Sequence, residues 1–197
     1  MAFSEKELNY LLDSDFLLTK QQIIKKLVTL FAQTEEQLKE PVISNQDIYP
    51  DNALALAGKI GKGDNYQGLP YIVLDYPRYF SGSSMFLFRT MYWWSDRFSF
   101  TLFLKGERLF HYREALVNNL EPLMSSQPWI GVNASPWEYH YQPGNFRKAS
   151  EFSTHELIHH LRNHPFVKVS YTMETRSYSE LPLRAVHHFQ QLISLLT

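Results

Sequence analysis

Two consecutive segments, MFLFRTMYWW (85–94) and RFSFTLFLKG (97–106), constrain this chain more than any other feature. Both are rich in aromatic residues and of strand length, and only Ser95-Asp96 separates them. That spacing predicts a hairpin with a tight turn, although the favoured Asn-Gly is missing. Pairing Trp94 with Arg97 sets Trp93 opposite Phe98, Met91 opposite Phe100, Arg89 opposite Leu102 and Leu87 opposite Leu104, because opposite residues share a face. The face so defined is apolar except for Arg89. The other carries Phe86, Phe88, Tyr92 and Trp94 among Thr90, Ser99, Thr101 and Phe103, a surface either covered by helices or left open as an aromatic floor.

A further strand precedes the hairpin: in LPYIVLDYP, Tyr71, Val73 and Asp75 fall on one face and Ile72, Leu74 and Tyr76 on the other. Upstream, Ser4–Glu7 and Thr19–Gln22 each match a capping box, which predicts two helix starts. In the second helix Ile24, Leu27, Val28, Phe31 and Leu38 recur at helical spacing, and the helix is expected to end before Pro41. Residues 41–68 read as a long loop, with a weak periodic stretch at 52–57. Its GKIGKGDNYQG lacks the spacing of a phosphate-binding loop.

Downstream of Gly106, Leu109, Tyr112, Leu116 and Leu120 predict a helix stopping near Pro122. Trp137, Tyr139 and Tyr141 then predict a short strand, HELIHH (155–160) lies on a helix stopped by Pro165, and FVKVSYTME alternates as a last strand. A final helix from about Pro182 places Val186, Phe189, Ile193 and Leu196 on one stripe, with His187 and His188 toward solvent. The sum is α+β: a mainly antiparallel sheet built on a central long hairpin, with N-terminal helices and further helices packed on it. One globular domain is expected over 1–197, comprising a helical segment 1–40, the loop 41–68, and a sheet with helices over 69–197.

Composition narrows the function classes. Lysine plus arginine (19) nearly balance aspartate plus glutamate (20), which disfavours nucleic acid and acidic membrane surfaces as partners. The chain has no cysteine, so disulfides, thiolate metal sites and a cysteine nucleophile are excluded. MAFSEKELNY is not an export signal, and no apolar run approaches the roughly 20 residues of a membrane helix. A cytoplasmic protein is expected.

The pointed motif is HELIHH, since histidines at i and i+4 share a helix face and the intervening glutamate can activate zinc-bound water. Three features weigh against that reading. Ser153–Glu156 is itself a capping box, which occupies Glu156 structurally. Leu157, Ile158 and Leu161 form the apolar side of the wheel, leaving His155 and His159 on a solvated one. A third ligand is not evident, because His164 lies on another side of the helix and Glu174 and Glu180 lie in a strand and a loop.

Arg89 carries more information, being a charge set among large apolar groups. Either it snorkels to an open rim, or it is buried and needs a carboxylate, for which Asp75 on the preceding strand is the natural partner, forming a strut or an anchor for an acidic ligand. Glu138 and His140 share one face of their segment, as an acid/base pair or as the wet side of an edge strand. The leading expectation is a non-enzymatic domain that needs no cofactor and binds a small ligand or protein partner through its aromatic sheet face. Its candidate ligand-binding residues are Arg89, Asp75, Tyr92 and Trp94, and self-association is compatible with it. The alternative is a zinc-dependent hydrolase with His155 and His159 as ligands and Glu156 as general base.

Overall fold

A computed structural model describes residues 2–49, 57–94 and 97–197. The N-terminal part is helical, with α1 (Glu5–Leu12) and the long α2 (Ser14–Ser44). Four strands follow: β1 (Lys59–Tyr66), β2 (Leu69–Ser81), β3 (Ser84–Trp93) and β4 (Arg97–Lys105). After α3 (Glu107–Asn118) and α4 (Leu120–Ser125) come the short β5 (Trp129–Gly131) and β6 (Phe146–Lys148). The chain then runs through α5 (Thr154–Asn163), β7 (Phe166–Glu174) and α6 (Leu181–Ile193). The strands form one antiparallel sheet in the order β1-β2-β3-β4-β7-β5-β6, and helices pack on it, so the fold is α+β.

The β3–β4 register differs by one residue from the expected one. Tyr92 pairs with Phe98, Thr90 with Phe100, Phe88 with Leu102 and Phe86 with Leu104. β3 ends at Trp93 and β4 begins at Arg97, so three residues connect them instead of two. Because side chains alternate, that single residue exchanges the faces of one strand relative to the other. Trp93 and Phe98 therefore lie on opposite faces, and Arg89 shares its face with Ser99 and Thr101 instead of Leu102 and Leu104. The expected turn at Ser95-Asp96 lies outside the described residues.

This register gathers the most apolar set of each strand on one side. Phe86, Phe88, Phe98, Phe100 and Leu104 are fully buried there, beneath Phe31 and Leu38 of α2 and Phe189 of α6. The Phe88 and Phe189 rings meet edge to face at 5.2 Å, and Phe31 lies 6.4 Å from Phe98. The aromatic face is thus covered by helices and is not an open floor.

Other boundaries also move. α2 starts five residues before Thr19, with the Asp13 carboxylate accepting from Phe16 N–H at 2.9 Å. It continues one turn past Pro41, whose buried ring forfeits a single intrahelical hydrogen bond. Within the expected loop 41–68, KIGKGDNY is the edge strand β1; residues 52–56 of the weak periodic stretch lie outside the described residues. Gly63 allows β1 to cross Tyr71, since a Cβ there would sit 2.5 Å from the tyrosine ring. Gln67 and Gly68, both with positive φ, turn the chain into β2 as a two-residue hairpin demands. The predicted strand around Trp137–Tyr141 is instead an irregular segment joining β5 to β6.

Phe189 links α6 to the centre of the sheet, and truncating it to alanine should cost about 3–5 kcal/mol in urea unfolding. A loss below about 1 kcal/mol would show that the helix does not close the core in this way.

Candidate functional site

The sheet face opposite the helices carries a polar layer. Asp75 and Arg89 are direct cross-strand partners, joined by two hydrogen bonds of 2.7 and 2.8 Å from the guanidinium to the two carboxylate oxygens. The pairing expected from the sequence is present. The guanidinium also lies 4.8 Å from the centre of the Tyr139 ring, on the irregular segment 132–145 that covers this face.

Beside the pair lies a lysine that the sequence did not single out. Lys168 of β7 has no exposed surface, and its ammonium donates to the Glu138 backbone carbonyl at 2.5 Å. The Tyr139 and Phe146 rings stand 4.8 and 4.9 Å from it. Gly131 leaves room for the stem, because a Cβ there would come within 2.9 Å of Lys168 Cε. Burial pushes the ammonium pKa down to about 7; the Glu138 carboxylate opposes that shift and Arg89 adds to it. Only the alternation Val167, Val169, Tyr171 hinted at Lys168, since it leaves the lysine facing the other way.

Further hydrogen bonds hold segment 132–145 against the sheet. The Tyr66 hydroxyl accepts from the Tyr139 and His140 amides at 2.7 and 3.1 Å and donates to Glu138 Oε2 at 2.8 Å. Tyr141 reaches Ser170 Oγ at 2.5 Å, and Ser170 contacts Thr101 Oγ1 at 2.7 Å. Burial raises the Tyr66 and Tyr141 phenols to about 12, so both stay neutral at physiological pH. Glu138 and His140 do approach each other, at 3.6 Å, but the carboxylate is engaged by Tyr66. Lys168 is sealed beneath the covering segment, and the hydrogen bonds of Tyr66, Tyr141 and Lys168 clasp that segment to the sheet, with the buried Tyr139 hydroxyl left without a partner among the described residues.

HELIHH sits at the start of α5. Ser153 Oγ accepts from Glu156 N–H at 3.2 Å and Glu156 Oε2 accepts from Ser153 N–H at 2.7 Å, which completes the capping box. His155, Glu156 and His159 are all exposed. The inward histidine is His160, whose Nε2 lies 3.0 Å from the Gly131 carbonyl and whose pKa burial pushes down to about 4. Among the described residues no three His, Asp or Glu side chains are grouped to hold a metal. His188 is not on a solvent face either: it stacks on Tyr171 at 4.5 Å, and burial lowers its pKa to about 4.

Tyr92 and Trp94, the other two candidate ligand residues, lie away from Arg89 and Asp75, at the hairpin end of the helix-covered face. Their rings are 6.2 Å apart. Here α2 and the sheet diverge and leave a groove of about 510 Å³, walled by Ile23, Leu27, Leu30, Tyr92, Phe98 and Tyr178, with Lys26 and Gln33 also along it. Its walls come from three distant stretches of chain, and no local pattern marks it. None of the described helices is long and apolar enough to cross a membrane. Comparison with protein-family models, curated proteins and solved structures finds no match to this chain.

Two measurements test the polar layer. Asp75→Asn should strip the part-buried Arg89 of its counter-charge, at a cost below the roughly 3–5 kcal/mol of a fully buried pair, whereas Arg89→Met should be milder. Wild-type melting of Asp75→Asn would refute the coupling. For Lys168 the folded pKa lies below its ordinary value, so between about pH 7 and 10.5 the unfolded chain binds more protons and stability rises with pH. Relative to Lys168→Met, wild type should gain up to about 1.4 kcal/mol per pH unit across that window. A difference that does not change with pH would show that the ammonium is not desolvated.

Proposed function

We propose that this protein is a non-enzymatic interaction protein that seats one amphipathic helix of a protein partner in the groove between α2 and the hairpin end of the sheet. The observation that carries this reading is the contrast between the two faces. The polar layer with Arg89, Asp75 and Lys168 is covered by segment 132–145, while the groove is open, walled by aliphatic and aromatic side chains, and of a size that suits binding. Aromatic walls give large contact area at low entropic cost, and a helix offering residues at i, i+3, i+4 and i+7 is the natural filler of such a trough. Lys26 favours a helix with an acidic flank. Tyr92 keeps its candidate role here, whereas Arg89 and Asp75 act as a strut.

The zinc-hydrolase alternative has less support. Its histidine pair is exposed on the first two turns of α5, and Glu156, the candidate base, is held by the cap.

A fluorescein-labelled amphipathic helical peptide of leucine and glutamate provides the test, read by fluorescence anisotropy at low protein concentration. Saturable binding is expected, abolished by Leu30→Arg in the groove wall. Lys26→Glu should weaken it several-fold, since a rim ion pair is worth up to about 1 kcal/mol. Binding that ignores Leu30→Arg would sink the reading.

A further inference from the structure

The groove lies beside an N-terminal arm that has no core of its own. No residue of α1 is buried, and the first nine residues of α2 make little contact with the sheet. Yet the arm is rich in large apolar groups: Leu11 is 61% exposed, Leu12 83%, Phe16 49%, Leu17 53% and Leu18 62%. With Phe3, Leu8, Tyr10 and Ile23, also exposed, nine such side chains at roughly 100 Å² each make about 900 Å² of apolar surface. Nine large apolar side chains exposed on one short arm mark it as a surface for contact. Phe16, Leu17 and Ile23 continue the stripe that Leu27, Phe31 and Leu38 bury on the sheet, so the stripe overhangs the body.

Charge identifies what covers it. Residues 2–15 hold four acidic side chains and one lysine, whereas residues 16–30 hold three lysines, Lys20, Lys25 and Lys26, and no acid. A second copy laid antiparallel matches the acidic stretch of each chain to the basic stretch of the other. Asp15 and Lys26 lie on the same flank of α2, and a two-fold axis midway between them brings Asp15 of one copy beside Lys26 of the other. The same register lays the partner's Phe16 beside Lys25 and carries its α1, which follows a break at Asp13, toward the groove. The two Lys20 side chains meet near the axis, where their long stems carry the charge to solvent.

We infer that the chain forms a two-fold symmetric dimer in which each N-terminal arm occupies the groove of the other copy. This rests on the helix-in-groove reading above and names its occupant. The interface is isologous, as two-fold symmetry requires, and two arms bury at most about 1,800 Å², an upper bound that reaches the range of stable interfaces. Their acidic flanks meet the lysine that the groove presents.

Sedimentation equilibrium and light scattering on the full chain test this. At about 100 μM the expected mass is about 46 kDa, twice the 23.2 kDa of one chain. Phe16→Glu combined with Leu17→Glu alters only exposed positions, and should give a monomer with an unchanged circular dichroism spectrum that melts as the wild type does when diluted until its dimer dissociates. Asp15→Lys and Lys26→Glu should each weaken the dimer, and together restore it. A monomeric wild type, a dimer that survives the Phe16/Leu17 changes, or a double charge swap that fails to restore pairing would overturn the inference. A monomeric wild type whose groove still takes the labelled peptide, in a manner lost in Leu30→Arg, removes self-pairing alone. Loss of peptide binding as well removes the groove reading too.

Discussion

Everything else in this structure depends on placing the apolar sides of β3 and β4 under the same helices. Phe86 and Phe88 from one strand, and Phe98, Phe100 and Leu104 from the other, are buried together. Each such side chain removed from water contributes about 1.5–3 kcal/mol, far more than any turn preference at the end of the hairpin. A register that put Phe98 and Phe100 with Arg89 would divide this set between two faces and leave half of it unmatched. The helices follow from the same constraint: α2 and α6 lie where the aromatic surface needs a cover, and Phe31 and Phe189 are the side chains that reach down to it.

Gathering the apolar groups on one face leaves the remainder on the other. Arg89, Asp75, Ser99, Thr101, Lys168 and Ser170 project where no helix packs, and segment 132–145 closes over them. A polar layer of this kind holds only when its members satisfy one another. Arg89 finds Asp75, Tyr141 finds Ser170, and Tyr66 ties Glu138 to two backbone amides. Lys168 has a single carbonyl and aromatic ring faces, and its lowered pKa records that, while the buried Tyr139 hydroxyl has no partner among the described residues. The arrangement has the residue types of a catalytic centre and the connectivity of a clasp.

The hairpin end of the sheet behaves differently, because there the cover is incomplete. α2 is longer than the sheet it crosses, so its apolar stripe begins before the body does. The groove and the arm are two consequences of that one mismatch in length.

What the sequence determined by itself is local. Side-chain alternation in FVKVSYTME, the capping boxes at Ser4 and Ser153, the stripe Leu27, Phe31, Leu38, and the charge at Arg89 with its need for a carboxylate are all matters of period or of desolvation within a few residues, and they were legible. The α+β class followed from their order. The turn connecting β3 to β4 was not, since one residue more or less leaves both strand patterns intact while exchanging their faces. Nor was β1, whose glycines and charges suit an edge strand only because Tyr71 lies beneath it. The alternation of β7 turns Lys168 away from Val167 and Val169, but only segment 132–145, distant in sequence, buries it. The groove likewise needed α2, the hairpin and Tyr178 brought together. These features depend on which surfaces meet, and local periodicity carries no information about partners far along the chain; only tertiary packing decides them.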